Sequence, residues 1–162
     1  MKNLLLFFVL LCFISCSTPH YCYIVRHAEK EDNTPNSLLS PAGRQRAEIL
    51  KDSLLHKGID AIFASPFIRT QETANPLALA IHKPVAIYRQ NAIDSIVAVI
   101  KSSNNRNILL VGHSGPLPAI IEGLTGQKIK QLGENEYDNF YIIKTKKGKT
   151  ELIIKKYGNS SK

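Results

Sequence analysis

The sequence predicts an α/β domain whose mainly parallel sheet is covered by helices on both faces and ends in a C-terminal antiparallel hairpin. Strand-like and helix-like segments alternate from residue 21 onward, as they do when each parallel strand is followed by a crossover helix. The first helix has both ends marked, by Ser40-Pro41 at its start and Gly58 beyond its end, because a serine caps free N–H groups and proline suits the first helical position. The tail then changes character. Phe140 to Thr145 and Glu151 to Lys156 flank Lys147-Gly148-Lys149, a turn that makes an antiparallel pair.

In order, strands are expected at 21–25, 60–64, 85–88 and 107–111, and helices at 41–56, 67–82, 91–102 and 115–124. Asn33 to Asn36, with Pro35, read as a loop, and the closing GNSSK as a mobile tail. No internal repeat or linker interrupts the pattern. With 162 residues, 44% of them apolar, the chain suits a single domain with a core of its own.

Residues 1–16, MKNLLLFFVLLCFISC, are a different material. Lys2 precedes an unbroken apolar run from Leu4 to Ile14, too short to span ~30 Å of hydrocarbon but suited to a secretory signal. Phe13-Ile14-Ser15-Cys16 resembles the lipobox of bacterial lipoproteins, with Phe13 where leucine is usual. The expected organisation is a signal peptide over 1–15, a lipid-bearing Cys16 as the mature N-terminus and one domain over 16–162, exported and anchored at the bacterial cell envelope. A plain signal cut nearby and an uncleaved anchor are the alternatives. Cys12 then leaves with the signal and Cys16 carries lipid. Cys22 remains alone, a small buried hydrophobe with no partner for an internal disulfide.

The net charge of +8 and a pI near 9.5 admit nucleic acid, a membrane surface or a phosphorylated substrate as partners. Much of the excess lies in Lys144, Lys146, Lys147, Lys149, Lys155, Lys156 and Lys162. Charges there protect the edge of a terminal hairpin from pairing with another chain. Aromatic residues are not interleaved with them as stacking platforms, so no nucleic acid is expected.

Three predicted strands end in reactive polar residues. Tyr23-Ile24-Val25 runs into Arg26-His27, Ile62-Phe63-Ala64 into Ser65-Pro66-Phe67-Ile68-Arg69, and Ile108-Leu109-Leu110-Val111 into Gly112-His113. In a parallel sheet these ends share one edge, where α/β folds place their sites. Two arginines and two histidines without a carboxylate cluster describe an anion pocket, since a guanidinium fork and helix N-termini both suit phosphate oxygens. One histidine would attack phosphorus and the other stabilise the transferring group. The attacking ring must be neutral, its tautomer fixed by a carbonyl on the other nitrogen.

The ordered stretches RHAEK, SPFIRTQETA and VGHSG resemble the histidine phosphatase superfamily, the phosphoglycerate mutase-like proteins, across nearly all of the mature chain. The resemblance implies a three-layer α/β/α sandwich. It implies further that His27 is the phosphorylated nucleophile and that Arg26, Arg69 and His113 complete the phosphate-binding pocket. Ser40, Gly43 and Arg46 look like the family's LSxxGxxQA stretch and are read as structural. Ala28 stands where many members have glycine, as in the short branch. A proton donor is expected after the second motif, where Asp94 is the one acidic residue offered. Its other reading is a helix N-terminal residue favoured by the macrodipole, and some short members acting on phosphohistidine lack an obvious acid.

Several residues are weighed and set aside. Glu29 and Lys30 either line the mouth of the pocket or pair with solvent and each other. His56 and His82 lie near predicted helix ends and are read as structural. His20 is placed in a flexible lead before the first strand. Glu122 is read as surface, and Glu134, Glu136 and Asp138 as a loop able to approach the open strand edge. The leading function is a phosphohydrolase acting on a phosphomonoester or phosphohistidine, with no cofactor and no metal. Two arginines would repel a cation, which disfavours a metal hydrolase. A mutase would need insertions to hold its product. A membrane-tethered, catalytically inert module binding a phosphate ligand or a partner is the reading from another class.

Overall fold

A computed structural model describes residues 18–161; the predicted signal and Cys16 lie outside them. The chain runs β1 His20–Arg26, α1 Pro41–Leu54, β2 Ile59–Ala64, α2 Ile68–Ala80, β3 Val85–Ile87, α3 Ile93–Ser102, β4 Asn107–Gly112, α4 Leu117–Thr125, β5 Asn139–Lys146 and β6 Lys149–Lys156. One six-stranded sheet has the order β3-β2-β4-β1-β5-β6. The pairs β2–β3, β2–β4 and β1–β4 are parallel, and β1–β5 and β5–β6 antiparallel. The alternation of elements is therefore realised as expected. His20 differs: it pairs with Thr145 as the first residue of β1, because the returning hairpin extends the ladder beyond the apolar run.

Both faces of the sheet are covered, which is why the central strands read as continuous apolar runs. Cys22, Ile24, Ile108 and Leu110 pack with Ile96 and Ile100 of α3 and Ile120 and Ile121 of α4. The alternate residues Tyr23, Val25, Leu109 and Val111 pack with Leu50 and Leu54 of α1 and Leu77 of α2. Cys22 is buried as predicted, and burial pushes its thiol up to about 12.

Local signals hold where they were strongest. Ser40 Oγ accepts the Gly43 N–H at 3.1 Å and Pro41 opens α1. Gly43 also sets how closely α1 approaches the first loop: a Cβ there would lie 2.1 Å from the Glu29 carbonyl oxygen. Between β5 and β6, Lys147 and Gly148 have φ of 50° and 73°, the double positive φ of a two-residue hairpin turn. β6 forms one edge of the sheet, so Lys149, Lys155 and Lys156 do lie on an edge strand. Among the described residues no helix is long and apolar enough to cross a membrane.

Candidate active site

Pairing of the central strands brings the three motifs together. Arg26 of β1 lies beside Gly112 of β4, and Val111 of β4 beside Ala64 of β2. The residues that follow these strands consequently meet at one edge.

His27 is held from two sides. Its backbone N–H donates to the Gly112 carbonyl at 2.9 Å, and its ring Nδ1 lies 2.8 Å from the Ala28 carbonyl oxygen. A carbonyl can only accept, so Nδ1 carries the hydrogen and Nε2 keeps its lone pair. The expected tautomer lock is thus supplied by the next residue. Only 4% of His27 is exposed. Burial pushes its pKa down to about 3, the charges of Arg26, His113 and Arg69 acting the same way and the Ala28 carbonyl opposing them.

His113 faces this ring edge-on, with ring centres 5.1 Å apart. Its Nε2 lies 2.7 Å from Ser65 Oγ, which in turn lies 2.9 Å from Thr70 Oγ1. Its Nδ1 lies 3.5 Å from Nη2 of Arg69. Burial first, then the charges of Arg69 and Arg26, push His113 down to about 4. The hydroxyl pair serves either state of the ring. Ser65 can donate to a bare Nε2, or accept from a protonated one while donating to Thr70.

Arg26 donates through Nη1 to the carbonyls of Gly133 and Glu134, at 2.9 and 2.6 Å, and its guanidinium stands 4.2 Å over the Tyr137 ring. Arg69 donates to the Pro35 carbonyl at 2.7 Å and stands 4.6 Å over Phe67. Neither arginine makes an ion pair among the described residues. Both keep a buried Nε without a hydrogen-bond partner among the described residues. Burial works against their charge and lowers both pKa values. Two cations in this condition suit an anion that brings its own oxygen acceptors. Arg26 lines a cleft of about 480 Å³ with Lys30, Glu31, Asp32, Glu134 and Tyr137.

The structure separates the remaining sequence candidates. Lys30 lines the cleft, whereas Glu29 turns away and accepts from Nε and Nη2 of Arg46, with contacts of 2.7 to 3.0 Å. Arg46, 4% exposed, also donates to the carbonyls of Tyr157 and Asn159 at 2.8 Å. The tail predicted to be mobile is therefore tied to α1. It is tied to the cleft too, because Ser161 Oγ accepts the N–H groups of Tyr137 and Asp138 at 2.9 and 3.0 Å. Asp138 is bound by Lys156, and Glu136 by Gly133 and Lys130. Of these three acids, Glu134 lines the cleft. Asp94 occupies the exposed first turn of α3 and borders a depression with Ala119, Glu122 and Gly123 instead.

Sequence reasoning missed three contributors. Thr73 Oγ1 accepts the Ala28 N–H at 2.9 Å, and Glu72 accepts the Leu39 N–H at 2.7 Å, so the second motif fastens both ends of the loop after His27. Ala28 is fully buried with Leu39 and Ala47, a place for a small side chain, and its φ is not positive, so glycine is not required. Tyr137, with its ring 5.9 Å from that of His27, carried no local signal. Among the described residues no group of three metal-ligating side chains gathers.

Comparisons with known proteins place the fold among similar ones. The model of the histidine phosphatase superfamily, branch 1, matches residues 22–92, which contain the first two motifs. A curated protein of Hydrogenobacter thermophilus, named provisionally as phosphoserine phosphatase 2, is 26% identical over 171 residues, covering 72% of this chain and 84% of that protein. The solved structure of the protein histidine phosphatase SixA complexed with tungstate is similar with a TM-score of 0.71 at 13% identity, over 84% of this chain and 96% of that one. Phosphoserine phosphatase from Entamoeba histolytica, in complex with 3-phosphoglyceric acid, gives 0.65 at 16% identity, over 87% and 98%. The mixed six-stranded sheet with four helices is the fold of these structures.

Proposed function

We propose that this chain, similar over residues 22–92 to the histidine phosphatase superfamily, belongs to it and is a metal-independent phosphohydrolase working through a phosphohistidine intermediate on His27. The observation that carries the reading is the Nδ1 contact to Ala28, which leaves Nε2 as a nucleophile beside two arginines and His113. In the first step Nε2 bonds to phosphorus as the bond to the leaving oxygen or nitrogen breaks. Arg26, Arg69 and His113 hold the equatorial oxygens, where their charge counts most. Water then attacks the phosphohistidine, releasing inorganic phosphate and neutral His27. Undiminished turnover in a strong chelator is the expected result for metal independence.

Substrates in the same proposal are phosphomonoesters or phosphohistidine, in line with the phosphoserine and protein histidine phosphatases that the chain is similar to. Among the described residues neither His27 nor His113 hydrogen-bonds a carboxylate. Leaving groups that need no proton should therefore react best. An aryl phosphate is expected to turn over about a hundredfold faster than an alkyl phosphate, and Asp94→Asn to change the two rates equally little. A selective loss on the alkyl substrate would restore Asp94 as the general acid.

We also propose that the chain is exported and held at the envelope through lipid on Cys16, supported by the run Leu4 to Ile14 and the residues that follow it. Fatty-acid labelling in a bacterial host should mark the protein and be lost in Cys16→Ser; a labelled Cys16→Ser protein would contradict this.

A further inference from the structure

The positive charge of this chain is unevenly placed. At the edge opposite the candidate site, where parallel strands begin and helices end, stand Lys57, Lys101, Arg106, Lys146, Lys147 and Lys149. All six are exposed, and none makes an ion pair among the described residues. Their segments are joined. Asn107 donates to the Lys57 carbonyl at 2.9 Å and accepts the Tyr21 N–H at 2.9 Å, while His20 pairs with Thr145 next to the hairpin turn. Lys101, Arg106, His20 and Gly148 border one depression of about 380 Å³. Protection of an edge strand explains Lys149 alone of the six, and a helix C-terminus explains Lys101. Neither accounts for Lys57, Arg106 and the turn together.

We propose that this basic edge docks on an anionic phospholipid surface, with the candidate active site turned toward the aqueous side. The occupant follows from where the chain enters the fold. His20 lies at this edge, and the four steps from Cys16 to His20 reach at most ~14 Å. An N-terminus held in a membrane through lipid on Cys16 thus brings this edge to the surface first. Phosphate headgroups attract lysine and arginine within about a Debye length, so the six cations act once the anchor has delivered them. The seven residues of β1 put Arg26 and His27 about 20 Å farther out. The inference rests on the N-terminal reading and is independent of the catalytic one.

The test uses the mature chain carrying lipid on Cys16 and hydrogen exchange on vesicles of phosphatidylcholine, with and without an equal part of phosphatidylglycerol. Peptides covering 101–106 and 144–150 should exchange about tenfold more slowly on the anionic vesicles, with loop 28–38 unchanged and the difference lost in high salt. The combined variant K101Q/R106Q/K146Q/K147Q should remain bound through its N-terminus and lose the difference. Its turnover of a soluble aryl phosphate should be that of the wild type. Equal exchange on both vesicles, slowing at loop 28–38 instead, or slowing of the basic edge by single-stranded nucleic acid but not by anionic vesicles would overturn the proposal. A chain that floats with neither vesicle would overturn the N-terminal reading along with it.

Discussion

Replacing His27 with alanine is expected to lower turnover by at least about a thousandfold and to remove the phosphoprotein trapped by rapid alkaline quenching. The label in the wild type should be acid-labile and base-stable, since a phosphoramidate hydrolyses once its nitrogen is protonated; serine phosphate behaves oppositely. The second histidine of the site is not set up as a nucleophile. The Nε2 atom of His113 is engaged by Ser65 and its Nδ1 faces Arg69, which fits a ring that stabilises charge. His113→Ala and Arg69→Ala should accordingly slow formation of the label by about a hundredfold to a thousandfold without moving it. Arg26→Lys should be damaging as well. The guanidinium spends Nη1 on the carbonyls of Gly133 and Glu134 while lying over Tyr137, and one ammonium cannot do this and hold phosphate. If His27→Ala keeps most of its activity, or if the label maps to His113, the roles assigned to the two rings are wrong.

What could be read from the sequence was local. The strands buried on both faces were visible as apolar runs, and the hairpin turn as Lys147-Gly148, because burial and positive φ restrict residue choice at the site itself. The convergence of Arg26, His27, Arg69 and His113 was legible because each lies at or soon after the end of a parallel strand and these ends share one edge. Contacts made across the fold were not visible. Arg46 was assigned to structure, but its partners, Glu29 and the carbonyls of Tyr157 and Asn159, lie 17, 111 and 113 residues away. Tyr137 reaches the cleft from the long connection between α4 and β5, and Ser161 meets it only because the hairpin returns the chain there; nothing in GNSSK signals an acceptor for a distant backbone N–H. Asp94 shows the opposite case, one position with two readings. Its position after the second motif suggested chemistry, while its local setting, the first turn of a helix, already had a sufficient physical account.

Acidification should destabilise the protein before its carboxylates titrate. His27 and His113 are pushed down to about 3 and about 4, chiefly by burial, with the site's cations contributing. In an unfolded chain both rings titrate near the ordinary value of about 6.5. Between these limits the unfolded state binds protons that the native state refuses, so stability is full above about pH 6.5 and declines as pH falls toward 4. At pH 5 the loss is about 2 kcal/mol for each ring, because 1.5 units below the unfolded value the proton already favours the unfolded chain. For two rings in a chain of this size, Tm should drop on the order of 10 °C between pH 7.5 and 5. Inorganic phosphate should offset part of this drop, since an anion among Arg26, Arg69 and the rings favours their protonated forms. The double variant His27→Gln, His113→Gln removes both titrations, and its Tm should vary much less over the same range. A double variant that loses as much Tm as the wild type would show that the acid sensitivity arises elsewhere, and that these rings are not held neutral by the burial described for them.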